Sequence, residues 1–236
     1  MTFREFLKAI VDPPPTQTRT PEREEPMFPP QTVEDASAWD GYWLQQLRSR
    51  FAGLDDIFLD DGGLVDLMRA EGLRTVLCVG NGLSMEPHAL CAAGFQATAL
   101  DLSPFIMDVL RQATPSTEYL SRLLGARALQ AGGTLACVAG DLRDETVCAG
   151  PYDVVIERRT LQLFPDDQRP AALERVTARL AARGLIVSHS HHGAWRPPSA
   201  RRHWTRDWFR QHGWKEWTPG TSHLHGQVVH LQQSTG

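Results

Sequence analysis

Two glycines and an aspartate carry the clearest chemical signal in this sequence. Gly80 and Gly82 follow directly on an apolar, β-branched run, Val76 to Val79, and Asp101 closes a second such run, Gln96 to Leu100. A short apolar run reads as a buried strand, and the Gly80-Asn81-Gly82 break reads as a turn. Pro87 is tolerated only in the first turn of a helix that begins there. An acid about twenty residues past the first glycine, at the end of the neighbouring strand, is placed to accept from ribose hydroxyls. The chemistry implied is recognition of a ribose-bearing ligand at a strand–turn–helix corner.

A second group of reactive side chains sits where two later strands end. Glu157-Arg158-Arg159 follows the run Tyr152 to Ile156, and His189, His191 and His192 follow Leu185 to Val187. Ligands of open parallel sheets lie beyond the carboxyl ends of the strands, so Glu157, His189 and His191 are the candidate general bases. Histidine titrates near neutral pH and suits proton removal. Glu157 has a plainer reading as an ion pair with Arg158 or Arg159, and the arginines have another as a clamp for a substrate carboxylate. No metal site is expected. His189 and His191 would share a strand face, but no Asp, Glu or Cys completes a set beside them.

The elements needed to position these groups follow from periodicity. Asp35 to Phe51 reads as a helix with Trp39, Trp43, Leu47 and Phe51 on one face; such a stripe serves as core packing or lines a lid over the site, together with Trp195 and Trp204. Leu64, Leu67 and Met68 mark a short helix closed by Gly72. Ser103-Pro104 opens a helix after Asp101, Ser116 opens another through about Gln130, and Thr134 to Ala139 is a third strand. Asp166 to Arg183 is predicted as a helix ended by Gly184, ahead of the fifth strand. A helix from about Pro198 to His212 precedes a closing pair of strands, Trp214 to Trp217 and Gln227 to Leu231. The expected fold class is α/β: a Rossmann-like, doubly wound, mostly parallel sheet with an antiparallel C-terminal strand and helices on both faces.

The glycine pattern separates two kinds of nucleotide ligand. A dinucleotide site needs a small residue three positions after Gly82, where the helix packs close to the strand, and this sequence has Met85. Taken in order, Val76 to Ser84, Ala99-Leu-Asp-Leu-Ser-Pro104, Ala139-Gly-Asp141 and Tyr152-Asp-Val-Val-Ile156 resemble the motifs of class I S-adenosylmethionine-dependent methyltransferases. The resemblance covers about Leu64 to Val187. It implies S-adenosyl-L-methionine as cofactor, with Gly80, Asn81 and Gly82 against its methionine part. It implies Asp101 and Leu102 at the ribose, Asp141 and Leu142 at the adenine, and Glu157 near the transferred methyl. Two positions depart from the pattern: Cys78 stands where an acid commonly precedes the loop, and Ser84 replaces a third glycine. Glu86 is the nearest acid that could substitute for the one missing at Cys78, and it has a capping explanation of its own.

Composition bounds the rest. A chain of 236 residues with net charge −4 suits one α/β domain and offers no electrostatic case for nucleic acid or an anionic membrane. Residues 1–31, with a short amphipathic stretch and then Pro13-Pro14-Pro15, form an N-terminal extension and linker; residues 32–236 form one domain. Cys78, Cys91, Cys137 and Cys148 stand singly without CxxC spacing, which suits a reducing cytoplasm. The expected activity is methyl transfer to a small-molecule acceptor, in a chain compatible with a homodimer. The alternative is a non-catalytic subunit that binds S-adenosylmethionine or S-adenosylhomocysteine.

Overall fold

The computed structural model describes residue 30 and residues 35–49, 63–125, 128–188, 204–217 and 228–231. The expected N-terminal extension and linker, and His189, His191, His192 and Trp195, lie outside the described residues. Helix α1 spans Ala36–Ser49 and α2 Gly63–Ala70. Strand β1 (Thr75–Val79), helix α3 (Glu86–Ala92), strand β2 (Gln96–Asp101) and helix α4 (Pro104–Gln112) follow. Next come α5 (Thr117–Leu124), β3 (Thr134–Ala139), β4 (Tyr152–Glu157) and a 3-10 turn, Leu161–Leu163. The chain continues through α6 (Arg169–Thr177), β5 (Leu180–Ser188), α7 (Trp204–Gln211), β6 (Lys215–Trp217) and β7 (Val228–Leu231).

The strands form one sheet in the order β3-β2-β1-β4-β5-β7-β6. The first five are parallel neighbours, and β7 runs antiparallel to both β5 and β6. The order reverses between β1 and β4, so the ends of β1, β2 and β4 open a crevice at the switch point. Side chains alternate across the sheet and divide the core in two. Val76, Cys78, Val154 and Ile156 pack with Leu64, Met68, Leu90, Ile106 and Leu110 on one face. Leu77, Val79, Val155 and Ile186 pack with Leu173, Val176 and Phe209 on the other. Strands buried on both faces explain why their sequences are apolar runs without polar alternation.

The caps form where side chains accept from free backbone N–H groups. The Ser103 hydroxyl accepts from Ile106 N at 3.1 Å to start α4, and Ser116 accepts from Tyr119 N at 3.1 Å to start α5. The Asp35 carboxylate accepts from Ser37 N and Ala38 N at the head of α1. Two predicted helices are shorter than the sequence suggested. The one expected to reach Gln130 ends at Leu124, because Gly125 takes φ +75°. The one expected over Asp166 to Arg183 ends at Thr177. Tyr152 N donates to the Arg179 carbonyl at 2.8 Å and Leu180 pairs with Tyr152, so the chain has already joined the sheet. Gly184 lies within β5, in the stretch where the pairing with β4 shifts register between Tyr152 and Val154. The Arg179 guanidinium, 2% exposed, anchors that join by donating to the carbonyls of Leu142, Asp144, Val147 and Arg175.

His88 in α3 is buried. Burial lowers its pKa to about 4, and hydrogen bonding to the backbone of Ala113 and Leu110 opposes this only in part. The unfolded chain binds a proton at this ring below about 6.5, whereas the folded chain does so only near 4. Stability from this group is therefore complete above 6.5 and is lost as pH falls towards 4, by on the order of 3 kcal/mol. Urea denaturation at a series of pH values is expected to show that slope, and His88→Gln is expected to flatten it.

Candidate active site

A cavity of about 420 Å³ opens at the carboxyl ends of β1, β2 and β4. Gly80, Asn81 and Gly82 form its floor, with Asp101, Leu102, Asp141 and Leu142 along one side. Trp39, Tyr42 and Trp43 from α1 stand over it, and Arg158, Arg159 and Thr160 close the side after β4. These groups are distant in sequence and meet because parallel strands all end at the same edge of the sheet.

The glycine turn is held from several directions. Gly80 and Gly82 take φ +58° and +53°, a region costly to residues with a Cβ. Asn81 N donates to the Leu100 carbonyl, and its side-chain amide donates to the carbonyls of Gly82 and Ser84 at 3.2 and 3.0 Å. The Asp101 carboxylate bridges loop and strand, accepting from Gly82 N at 2.8 Å and Ser103 N at 2.9 Å. Burial pushes this carboxyl above its ordinary range, the N–H groups of Ser103 and Gly82 oppose the shift, and the charge of Asp40 adds to it. Each oxygen keeps a lone pair beyond those backbone bonds.

Helix α1 is joined to this frame by chemistry and by shape. The Asp40 carboxylate accepts from the Ser103 hydroxyl and, at 3.3 Å, from Phe105 N at the head of α4. Trp43 lies flush on the turn: a Cβ added to Gly82 would meet its Cη2 at 2.6 Å. The indole Nε1 of Trp43 is buried without a hydrogen-bond partner among the described residues. The three aromatic rings contact one another, with centroids 4.8 Å apart for Tyr42–Trp43 and 5.6 Å for Trp39–Tyr42. The aromatic stripe thus serves both expected uses, since Trp39 is buried and also lines the cavity.

The remaining site candidates fall unequally. Asp141 lines the cavity, but its carboxylate forks onto Arg143, with Nη2 at 2.6 Å and Nε at 3.0 Å. Partial burial raises its pKa, and the Arg143 bonds outweigh that to hold the carboxyl below its usual range. Glu157 is not on the cavity wall. It is 0% exposed; one oxygen accepts from Thr160 N and Leu161 N at 2.8 and 2.9 Å, and the other accepts from the Ser188 hydroxyl at 2.9 Å. The expectation that it acts as a base or contacts the cofactor is corrected accordingly: its oxygens brace the turn after β4 and tie β4 to β5. Cys78 and Glu86 are buried in the core and do not line the cavity, and burial pushes the Cys78 thiol well up, with Glu86 adding to it. Thr160 was not singled out from the sequence, although its hydroxyl donates to the Val79 carbonyl at 3.2 Å and its side chain fills the space beside Gly80. No group of three potential metal ligands occurs among the described residues.

Two substitutions test this frame. Gly82→Ala adds a Cβ at positive φ and against Trp43, so a loss of about 2 kcal/mol or more is expected in thermal unfolding. The loss should shrink in a Trp43→Ala background, since only the backbone part would remain. Glu157→Ala leaves three buried donors without their acceptor and is expected to cost several kcal/mol. Glu157→Gln, which keeps one oxygen, should retain more of that stability in the same urea titration.

No protein-family model matches the sequence, and no curated protein matches it. Solved structures do. A TehB-like SAM-dependent methyltransferase from Corynebacterium glutamicum is 19% identical, with a TM-score of 0.52, over 83% of this chain and 99% of that one. CalS10 from Micromonospora echinaspora, an amino pentose methyltransferase solved with SAM bound, is 15% identical with the same TM-score of 0.52, over 79% and 96%. At these identities the likeness is one of architecture, and it agrees with the sheet order and the crevice at the switch point: the chain has the fold of the class I SAM-dependent methyltransferases.

Proposed function

We propose that this chain is an S-adenosyl-L-methionine-dependent methyltransferase acting on a small-molecule acceptor. The observation that carries the reading is the Asp101 carboxylate, fixed between Gly82 N and Ser103 N on the wall of a cavity at the sheet's switch point. The residues present suit the cofactor. A buried carboxylate with spare lone pairs is an acceptor for paired hydroxyls, and Leu102 and Leu142 offer apolar surface to a flat ring. The cofactor is a net cation, and Asp101 is the carboxylate nearest the glycine turn. Gly80, Asn81 and Gly82 line the cavity, and Trp43 Nε1 is a buried donor lacking an acceptor among the described residues.

Held by Asp101 and the glycine turn, S-adenosylmethionine would supply an electrophilic methyl group for an acceptor's lone pair, with its sulfur as the leaving group. The chain's own contribution is alignment and exclusion of water. Holding reactants in line is worth on the order of 7–11 kcal/mol of a barrier. Asp101 and the glycine turn hold one reactant, and α1 with Arg158, Arg159 and Thr160 encloses the space for the other. The turn that carries those three residues is kept in place by Glu157. An acceptor that must lose a proton needs a base, and His189 or His191 is the proposed one; they follow Ser188, whose hydroxyl reaches Glu157 at the end of β4. Asp141 serves the adenine in this reading only by sharing its carboxylate with Arg143.

No helix among the described residues is long and apolar enough to cross a membrane, and all four cysteines are unpaired, which suits a reducing compartment. Calorimetric titration with S-adenosylmethionine and with S-adenosylhomocysteine tests the proposal. Both are expected to bind, and Asp101→Ala is expected to weaken both by about 100-fold through the loss of charge-assisted bonds. Absence of binding to the wild type would remove the proposal.

A further inference from the structure

The cofactor reading does not use the stretch of cavity wall between the α1 aromatics and the turn after β4, which carries two arginines. Arg158 and Arg159 are adjacent in the chain and both line the wall. Arg158 reaches across to the glycine turn, with Nη1 donating to Ser84 Oγ at 3.2 Å. Arg159 is exposed at the rim and takes φ +58°, a left-handed backbone that a non-glycine residue holds at a cost of roughly 1–2 kcal/mol. That backbone is the more notable because the turn is otherwise tightly specified by the Glu157 carboxylate, which accepts from Thr160 N and Leu161 N. The fold therefore places two consecutive arginines on one cavity wall. Burial and the charge of Arg159 together bring the Arg158 pKa down to about 9. Tyr42 and Trp39 line the same cavity, so the arginine side and the aromatic side face one space.

We infer that the acceptor, if the methyltransferase reading on which this rests holds, is a planar apolar molecule bearing a carboxylate. Arg158 and Arg159 take the carboxylate, and Trp39, Tyr42 and Phe164 take the ring. Guanidinium forks match a carboxylate in shape and are weakly hydrated, so they bind it well at a half-buried wall. Trp and Tyr present rigid faces to a flat partner and lose little side-chain freedom in doing so.

The test uses the full chain and two probes of the same shape, 2-naphthoate and 2-naphthamide. Each is titrated calorimetrically into protein saturated with S-adenosylhomocysteine. The acid is expected to bind at least about tenfold more tightly than the amide, as charged hydrogen bonds require. Arg159→Gln is expected to abolish that preference and Arg159→Lys to keep part of it, since the charge remains but the fork does not. Arg158→Gln gives the same reading at the inner position. Equal binding of acid and amide, binding of neither, or a preference that survives both glutamine variants would overturn the inference. Failure of S-adenosylhomocysteine to bind the wild type would bring down the methyltransferase reading with it. If it binds and the acid is not preferred, only this inference falls.

Discussion

The site depends on one carboxylate. Asp101 is nearly out of water, yet both of its oxygens are occupied by backbone N–H groups, one from the glycine turn and one from the head of the next helix. A buried carboxylate is costly unless hydrogen bonded, and these donors meet that requirement. In doing so they join the glycine turn to the end of β2, nineteen positions later in the chain. The turn after β1 and the start of α4 are therefore held to the end of β2, and the ligand-facing backbone has one arrangement.

A second carboxylate plays the matching part on the other side of the crevice. Glu157 ends β4 and receives donors from the turn that follows and from Ser188 on β5. Its neighbours Arg158, Arg159 and Thr160 are the ones that face the cavity. The division is economical in a physical sense. The residue that is buried holds the backbone, and the two arginines that emerge from it bring charge to the cavity wall. Between the two carboxylates, Thr160 reaches back to Val79 and packs beside Gly80, so the two loops that flank the site are in direct contact.

Helix α1 completes the enclosure from outside the sheet. Asp40 accepts from Ser103 and Phe105, which favours a carboxylate because it meets the positive end of α4. Trp43 then falls onto Gly82, where only a residue without a side chain leaves room. The glycine therefore answers two demands, positive φ and the close approach of an indole.

Much of the fold was legible in the residues themselves. The central strands β1 and β4 are apolar runs because both of their faces are covered, and Ser103-Pro104 and Ser116 announce helix starts through hydroxyls that accept from the backbone. The turn at the cavity could be read from Gly80, Gly82 and Asp101 because positive φ and a strand-end carboxylate are requirements of local geometry. What the sequence could not supply depended on partners distant in the chain. Periodicity carried the helix of α6 on to Arg183, whereas the pairing of Leu180 with Tyr152 ended it. Residue type made Glu157 a candidate base, whereas the N–H groups of Thr160 and Leu161 and the Ser188 hydroxyl made it a brace. A carboxylate's role follows from which donors reach it, and only the tertiary structure decides that.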